Sequence, residues 1–116
     1  MDIYDIWVDL KEGVRDHEFV ESISGYLGLL KRDGKIENWR LMRRKLGFGT
    51  AGLGEFHVMI ETRDLAQLDT AFDAAARRGD PVESAHFGAN RLVKNFQAAL
   101  YRDFPDPVRE RGAEKF

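Results

Sequence analysis

The chain has 116 residues, of which 43% are apolar, and this is enough to close one hydrophobic core but not two. Charged residues make up 33% of the chain while the formal net charge is only −2, so no overall basic field attracts nucleic acid or an anionic membrane. Cysteine is absent, which excludes disulfides, thiolate nucleophiles and thiolate metal ligands. Together with an acidic N-terminus and no apolar run near the roughly 20 residues of a membrane span, this predicts one soluble, unprocessed domain over residues 1–116, located in the cytoplasm.

The first two predicted elements are a strand and a helix. Residues Asp2 to Leu10 alternate between aliphatic and mixed side chains, which is the period-two pattern of a strand with one buried face. The spacing of apolar residues then predicts a helix from Asp16 to Asp33, closed by Gly34. Gly25 and Gly28 lie inside this helix, where they weaken it slightly and indicate close packing on the sheet.

Two further strands and a second helix follow. The second strand is predicted from Lys35 to Leu46 and the third from Glu55 to Thr62, joined by a glycine-rich loop. Asp64 has the character of a helix N-cap, and Gln67 three residues later makes a variant of the capping box, so a second helix begins here. Its end is predicted at Arg77–Arg78–Gly79.

The last third of the chain leaves two assignments open. Residues 83–93 fit either a short helix or an irregular connection. Asn95 to Arg102 alternates apolar and other side chains and is predicted to be a fourth strand, although a single helix from Gly88 to Tyr101 also fits the apolar spacing. Residues 105–116 are predicted to be a polar tail.

The order strand, helix, strand, strand, helix, strand is that of the ferredoxin-like βαββαβ sandwich, an α+β fold with a four-stranded antiparallel sheet and two helices on one face. Right-handed crossovers place the first and third strands in the centre, the fourth beside the first and the second beside the third. The uncovered face is then predicted to carry Asp5, Trp7, Asp9, His57, Met59, Glu61, Gln97 and Tyr101. Because two large rings and a methionine lie among these carboxylates, we expect this face to meet a partner or a ligand.

The strand order and the closing segment, Leu92–Val93 to Ala99–Leu100–Tyr101–Arg102–Asp103–Phe104–Pro105, resemble those of the ferredoxin-like dimeric α+β barrel superfamily. In particular, the chain resembles one of the small, uncharacterised bacterial families of that superfamily. There, two sheets face each other to form a barrel, and the members include cofactor-independent monooxygenases, small-molecule isomerases, haem-binding enzymes and proteins without an assigned activity. The resemblance therefore implies a homodimer more than it implies a reaction.

Asp5 and His57 are the candidate catalytic pair. They lie on adjacent central strands and point the same way, so the carboxylate can orient the imidazole as a general base. The candidate ligand-binding residues are Trp7, Met59, Glu61 and Tyr101 on this face and Phe48 in the loop. A polar pair satisfied at a dimer interface explains the same two residues, and the sequence fixes neither the strand register nor their distance.

A second location for the ligand remains open. The superfamily cleft can lie between the helices and the sheet, and Tyr26, Phe72 and His86 then become the relevant residues. The three histidines, His17, His57 and His86, are scattered without a metal-ligand spacing, so we predict no metal site, and the resemblance implies that no cofactor is needed.

The loop carries a motif that does not fit its position. Gly47, Gly49 and Gly52 match the dinucleotide fingerprint letter for letter, but they join two strands, whereas that motif leads from a strand into a helix N-terminus. A hairpin loop is therefore predicted. The functional alternative is a flap whose Phe48 and Leu53 cover a pocket or hold the other subunit.

A basic cluster lies on the predicted second strand: Arg40, Arg43, Arg44 and Lys45, with Trp39 beside them. Contact with phosphate is conceivable, but cations on an edge strand also prevent edge-to-edge pairing. The RNA-recognition fold shares this strand order, yet the third strand offers Glu55, His57 and Met59 where that module needs stacking aromatics. We therefore predict no nucleic-acid partner and keep RNA binding as a third hypothesis.

The sequence thus predicts a homodimer that binds a small molecule without a cofactor, as a monooxygenase or an isomerase of this superfamily would. The alternative is a structural or regulatory homodimer without catalysis. Neither the substrate nor the reaction is indicated by the residues.

Overall fold

The computed structural model describes residues 1–77 and 81–105. Its elements, in chain order, are β1 (Asp2–Leu10), α1 (Asp16–Arg32), β2 (Asn38–Arg43), β3 (Phe56–Thr62), α2 (Leu65–Ala76), α3 (Val82–Asn90) and β4 (Val93–Arg102). Within these residues each helix is too short or too polar to cross a lipid bilayer. The α+β fold is confirmed, and α3 adds a third helix to the two that were predicted.

The four strands form one antiparallel sheet in the order β2-β3-β1-β4, as the crossover argument predicts. The core lies between this sheet and the helices. It includes Leu27 and Leu30 from α1 and Val58 and Ile60 from β3, all less than 8% exposed. Burial of each such side chain contributes about 1.5–3 kcal/mol, so this layer holds the helices on the sheet and leaves the opposite sheet face uncovered.

The start of α2 follows the predicted capping pattern. The side chain of Asp64 accepts a hydrogen bond of 2.9 Å from the backbone N–H of Gln67. The amide oxygen of Gln67 accepts one of 2.8 Å from the backbone N–H of Arg63 rather than of Asp64. Two N–H groups that α2 could not otherwise satisfy are therefore paired, which fixes the point where β3 turns into the helix layer.

The interpretation of the glycines inside α1 is wrong. A Cβ atom built on Gly25 or Gly28 meets no atom within 4 Å, so neither glycine makes room for the sheet. Both residues therefore only lower the helix propensity of α1.

Strand β2 is shorter than predicted because both of its ends have other partners. At the start, the backbone N–H of Lys35 bonds to the carbonyl of Leu30 at the end of α1, and Ile36 is buried in the core. At the other end, the N–H of Arg44 makes one more bond to Glu55, and the chain then leaves the sheet. Residues 45–54 consequently form a loop instead of extending the two strands.

The segment with two open assignments is resolved into a short helix and a strand. Residues Val82–Asn90 form α3, and Val93–Arg102 form β4, so the fourth strand is confirmed and the single long helix is wrong. Asn95 has a φ of 56°, which no α-helix tolerates in its interior, and it lies where the register between β1 and β4 shifts. The predicted end of the second helix at Arg78 and Gly79 and the polar tail beyond Pro105 lie outside the described residues.

Candidate functional site

The uncovered sheet face carries side chains in transverse rows, one residue from each strand. The strand register defines three of them, from β4 to β2: Tyr101, Ile3, Glu61 and Asn38; then Ala99, Asp5, Met59 and Arg40; then Gln97, Trp7, His57 and Met42. Seven of the eight side chains predicted on this face lie in these rows, and the eighth, Asp9, follows Trp7 on the same side of β1. The rows show which of the candidates can meet.

Asp5 and His57 meet across neighbouring rows. Asp5 pairs with Met59 and His57 with Trp7, so the two candidates are diagonal neighbours on adjacent strands, and their side chains are long enough to touch. His57 Nε2 lies 2.6 Å from Asp5 Oδ1. Asp5 is only 7% exposed, whereas the side chain of His57 keeps 29% of its exposure. A buried carboxylate therefore holds an imidazole that solvent reaches.

This hydrogen bond sets the protonation pattern of the ring. A carboxylate accepts a hydrogen bond only from a protonated ring nitrogen, so Nε2 of His57 carries the proton. In the neutral imidazole, Nδ1 then has the free lone pair. The ring also stacks on Trp7, with 4.7 Å between centroids and 11° between planes. Two contacts thus fix the orientation of a potential base.

The other predicted ligand residues are spread over this face. Met59 lies in the row of Asp5, next to the pair, whereas Glu61 and Tyr101 lie in the outer row, two rows from His57. Phe48 is 90% exposed in the loop. The structure therefore brings Trp7 and Met59 to the pair and leaves Phe48, Glu61 and Tyr101 at its periphery.

The loop after β2 makes a cavity with this face. About 230 Å³ of space lies beside Trp7 and His57, and residues 44–54 close one side of it. The flap interpretation of the loop expects both Leu53 and Phe48 over a pocket. Leu53 lines this cavity, whereas Phe48 does not. No sequence pattern indicates this cavity, because it depends on how the loop folds back across the strands.

Asp9 ties the base of this loop to the sheet. One carboxylate oxygen accepts a bond of 2.9 Å from the side chain of Asn95, and the other accepts one of 2.9 Å from the backbone N–H of Glu55. These hydrogen bonds, aided by the charges of Lys94 and Arg44 and opposed by slight burial, hold the pKa of Asp9 below its ordinary value. The unusual conformation of Asn95 thus places an amide that anchors the start of β3.

A second cavity lies on the opposite side of the sheet, between α1, α3 and the strands. Its volume is about 80 Å³, and its lining is almost entirely apolar: Ile6, Val8, Phe19, Ile23, Val58 and Phe96. Its polar residues are Tyr26, His86 and Asn90, with 5.2 Å between the ring centroids of Tyr26 and His86. Burial, with a smaller effect of nearby Tyr4, raises the pKa of Tyr26 to about 12. The hydroxyl of Tyr26 therefore remains protonated at neutral pH.

The three residues named for the helix side do not all share this cavity. Phe72 makes an edge-to-face contact of 5.3 Å with Tyr4 and is 46% exposed outside the cavity lining. Tyr26 and His86 meet because α3 packs against α1, and the short pattern of α3 gave no sign of which side it presents. Within residues 1–77 and 81–105, no three His, Asp or Glu side chains converge as a metal site would require.

The basic cluster of β2 divides between the two faces. Arg43 forms ion pairs with Glu55 and Asp16, at 2.7 and 3.3 Å, and its guanidinium lies 5.4 Å from the ring centre of Phe56. Arg44 instead donates to the carbonyls of residues 53 and 54. These two cations are engaged within the chain, so they do not form a free basic strip along the edge strand.

Comparison with known proteins defines the relationship of the chain but not its reaction. A family described as a family of unknown function, DUF6614, matches residues 1–116. The chain belongs to this family. No curated protein matches the sequence.

Solved structures with the same fold cover nearly the whole chain. The Arabidopsis thaliana protein At3g17210 superposes with a TM-score of 0.72 at 10% identity, over 93% of this chain and 100% of that one. SnoaB, a cofactor-independent oxygenase from Streptomyces nogalater, gives 0.68 at 8% identity, over 93% and 97%. A dimeric ferredoxin-like protein of unknown function from Jannaschia sp. CCS1 gives 0.65 at 11% identity, over 89% and 100%. At these identities the likeness establishes the ferredoxin-like fold alone, and the predicted membership of an uncharacterised ferredoxin-like family is confirmed.

Proposed function

We propose that the protein is a homodimeric, cofactor-independent enzyme that removes a proton from a small molecule, with His57 as the base and Asp5 as its positioning residue. The observation that carries this proposal is the 2.6 Å contact between His57 Nε2 and a carboxylate that is 7% exposed. It leaves Nδ1 as the acceptor on a residue that lines a cavity of about 230 Å³. A positioned imidazole of this kind accelerates proton transfer by about 10²–10⁴-fold.

The proton moves from an acidic C–H or O–H group of the substrate to Nδ1, and the electron pair stays on the substrate as an enolate or phenolate. The imidazolium that forms is stabilised by its hydrogen bond to the carboxylate of Asp5. An isomerase returns the proton to a different atom of the same molecule. A monooxygenase lets the electron-rich intermediate react with dioxygen. The fold shared with a cofactor-independent oxygenase supports this second route without selecting it.

The homodimer is proposed through the uncovered face. Its first two rows contain the exposed Tyr101 and the partly exposed Ile3, Met59 and Ala99, which a facing sheet would bury, whereas Trp7 and Met42 of the third row line the cavity beside the loop. The similar protein from Jannaschia sp. CCS1 is described as dimeric, which supports the same assembly. Sedimentation velocity at micromolar concentration should give a species of about twice 13.3 kDa.

Deuterium exchange tests the base directly. The probes are two weak carbon acids, phenylpyruvate and the neutral 2-indanone, incubated in D₂O and followed by the loss of their acidic proton signals. The wild-type protein should accelerate the exchange, and His57→Ala should lower the acceleration by about 100-fold or more. His17→Ala, the same change at an exposed histidine of α1, should leave it unaltered.

The alternative function, a dimer without catalysis, gives a different pattern. In that case the wild-type protein would accelerate exchange of neither probe, and His57→Ala would shift sedimentation toward the monomer. Oxygen consumption with an active probe separates the two enzymatic routes, because only the monooxygenase consumes dioxygen.

The cavity between the helices and the sheet is the basis of a second candidate. If the uncovered faces of two subunits meet, this cavity stays on the outside of the dimer, and its Tyr26 and His86 make no hydrogen bond to any described residue. A phenol or neutral carbonyl compound would then bind here. His86→Ala would abolish exchange and His57→Ala would not, which reverses the outcome expected from the first proposal.

A further inference from the structure

The cavity under the loop has a floor of flat and apolar groups. Trp7 and His57 present parallel rings, and Met42 lies beside His57 in the same row. Leu46 and Leu53 contribute from the loop. The cavity is partly open to solvent, and its volume of about 230 Å³ gives room for a substituted ring or a planar acid of similar size.

The roof of this cavity is fastened through backbone groups. Arg44 Nη1 donates to the carbonyls of Leu53 and Gly54 at 3.0 and 3.2 Å. A Cβ atom at Gly54 would lie 2.6 Å from the backbone of Val8, so only glycine brings the loop this close to β1. With the N–H of Glu55 held by Asp9, the roof is formed before any ligand arrives.

The charges around the cavity favour an anion. Arg43 is compensated by Glu55 and Asp16, whereas Arg44 bonds only to neutral carbonyls among the described residues. The guanidinium of Arg43 lies on the helix side with Asp16 and Phe56, so Arg44 is the cation that the lining offers to an anion, and its charge also acts on the nearby carboxylate of Asp9. Arg44 retains further N–H donors, since only Nη1 is engaged.

Thr50 adds a neutral donor at the roof. Its residue lines the cavity, and its hydroxyl has no hydrogen-bond partner in the described part of the chain. A Cβ atom on Gly47 would lie 2.6 Å from this hydroxyl, so the glycine leaves the space that the hydroxyl occupies. A carboxylate that accepts bonds from Arg44 and Thr50 would place its flat substituent over Met42 and the Trp7–His57 stack.

We propose that the partly open cavity between residues 44–54 and the sheet is a binding site for small planar carboxylates, with Arg44 and Thr50 as the groups that recognise the anion. This assignment extends the proposed function, because His57 Nδ1 would take its proton from a molecule held here. Binding itself requires only the cavity, the two donors and the rings.

A protein with one tryptophan measures the binding. The chain contains two tryptophans, and Trp39 lies on the helix side of β2, so Trp39→Phe leaves Trp7 as the reporter in the cavity. The probes are benzoate and 2-naphthoate, with benzamide and 2-naphthamide as neutral analogues of the same shape. Both acids should change the emission of Trp7 in a saturable way. Each amide should bind at least about tenfold more weakly than its acid.

Further substitutions in the Trp39→Phe protein show where 2-naphthoate binds. Leu53→Phe fills the cavity from the roof and should weaken 2-naphthoate by about tenfold, whereas Phe48→Leu, at the exposed tip, should leave it unchanged. Thr50→Val keeps the side-chain shape and should weaken both acids by about five- to tenfold through the lost hydrogen bond. Circular dichroism of each variant verifies that the fold is retained.

The outcomes separate this proposal from the proposed function. Equal affinity for acids and amides, or unaltered binding to Leu53→Phe, overturns the carboxylate site even if deuterium exchange depends on His57. Saturable, Thr50-dependent binding of the acids supports the site even if the wild-type protein exchanges no proton, and then only the base is refuted.

Discussion

The two faces of the sheet hold their histidines in contrasting ways. On the uncovered face, His57 is bonded to a buried carboxylate and stacked on Trp7, so its orientation and tautomer are set. On the helix side, His86 lies near Tyr26 in an apolar cavity and contacts no carboxylate among the described residues. The contrast shows that a histidine in a cavity and a histidine prepared as a base are different observations, and the second requires a partner that fixes the ring.

The largest expected effect concerns the packing on the helix side. Phe19 is 1% exposed and lines the inner end of the helix–sheet cavity, so Phe19→Ala should enlarge it and cost about 3–5 kcal/mol of unfolding free energy. Phe96→Ala, at the rim where the side chain is 55% exposed, should cost well under half of that. Chemical denaturation of both variants checks the difference, and similar losses would mean that the rim is as tightly packed as the interior.

A matched pair of aspartates tests the contrast between the faces. Asp5→Asn can donate to His57 Nε2 and so favours the wrong tautomer, and it should lower the deuterium exchange catalysed by the protein by about 100-fold or more. Asp2→Asn is the same change at another buried carboxylate of β1, bonded to Arg102 at 2.6 Å on the helix side. It should lower thermal stability and leave exchange intact. Equal losses of exchange in both variants would point to a general loss of structure.

Gly54 and Gly25 differ in what an added methyl group would meet, and the first of them lies against another strand. Gly54→Ala places a methyl group against the backbone of Val8 and should cost about 1–3 kcal/mol of unfolding free energy through a shift of the loop base. The same variant should weaken binding of 2-naphthoate. Unaltered denaturation and unaltered binding together would show that the loop is not seated on β1.

The opposite sign is expected in α1. Gly25→Ala adds a methyl group where no atom lies within 4 Å and should stabilise the protein by about 0.5–1 kcal/mol, because alanine has the higher helix propensity. Denaturant titration beside the wild type measures this gain. A loss of stability would mean that this side of α1 contacts another surface, such as a second subunit.

The smallest effect appears only in strong alkali. Since burial raises the pKa of Tyr26 from 10.0 to about 12, the folded state holds this proton more firmly than the unfolded state. The contribution of Tyr26 to stability is therefore complete below pH 10 and is lost as the pH rises toward 12. Burial also raises the pKa of Tyr4, so absorbance at the tyrosinate band should show late titration, of which Tyr26→Phe removes the part near pH 12. Titration of all tyrosines near pH 10 would contradict the buried hydroxyl.

The sequence predicted those parts of the molecule that depend on local patterns. Alternation along β1 and β3 assigned the two faces correctly, and Asp64 with Gln67 located the start of α2. The contact of Asp5 with His57 was out of reach, because a shift of one residue between two strands would have separated them, and only the pairing fixes that register. The two cavities were not predictable either, since one depends on how α3 packs on α1 and the other on a loop held by backbone carbonyls.

The fastening of the loop has a consequence for protein engineering. Arg44 bonds only to main-chain oxygens of residues 53 and 54, and Asp9 bonds to a main-chain N–H, so these anchors depend on no side chain between Leu46 and Leu53; Gly49 and Gly52, with φ of 62° and 89°, are the positions to keep. Randomised or longer segments could therefore replace this part of the loop and change which ligand is recognised. Gly54 would keep the end of the new segment close to β1.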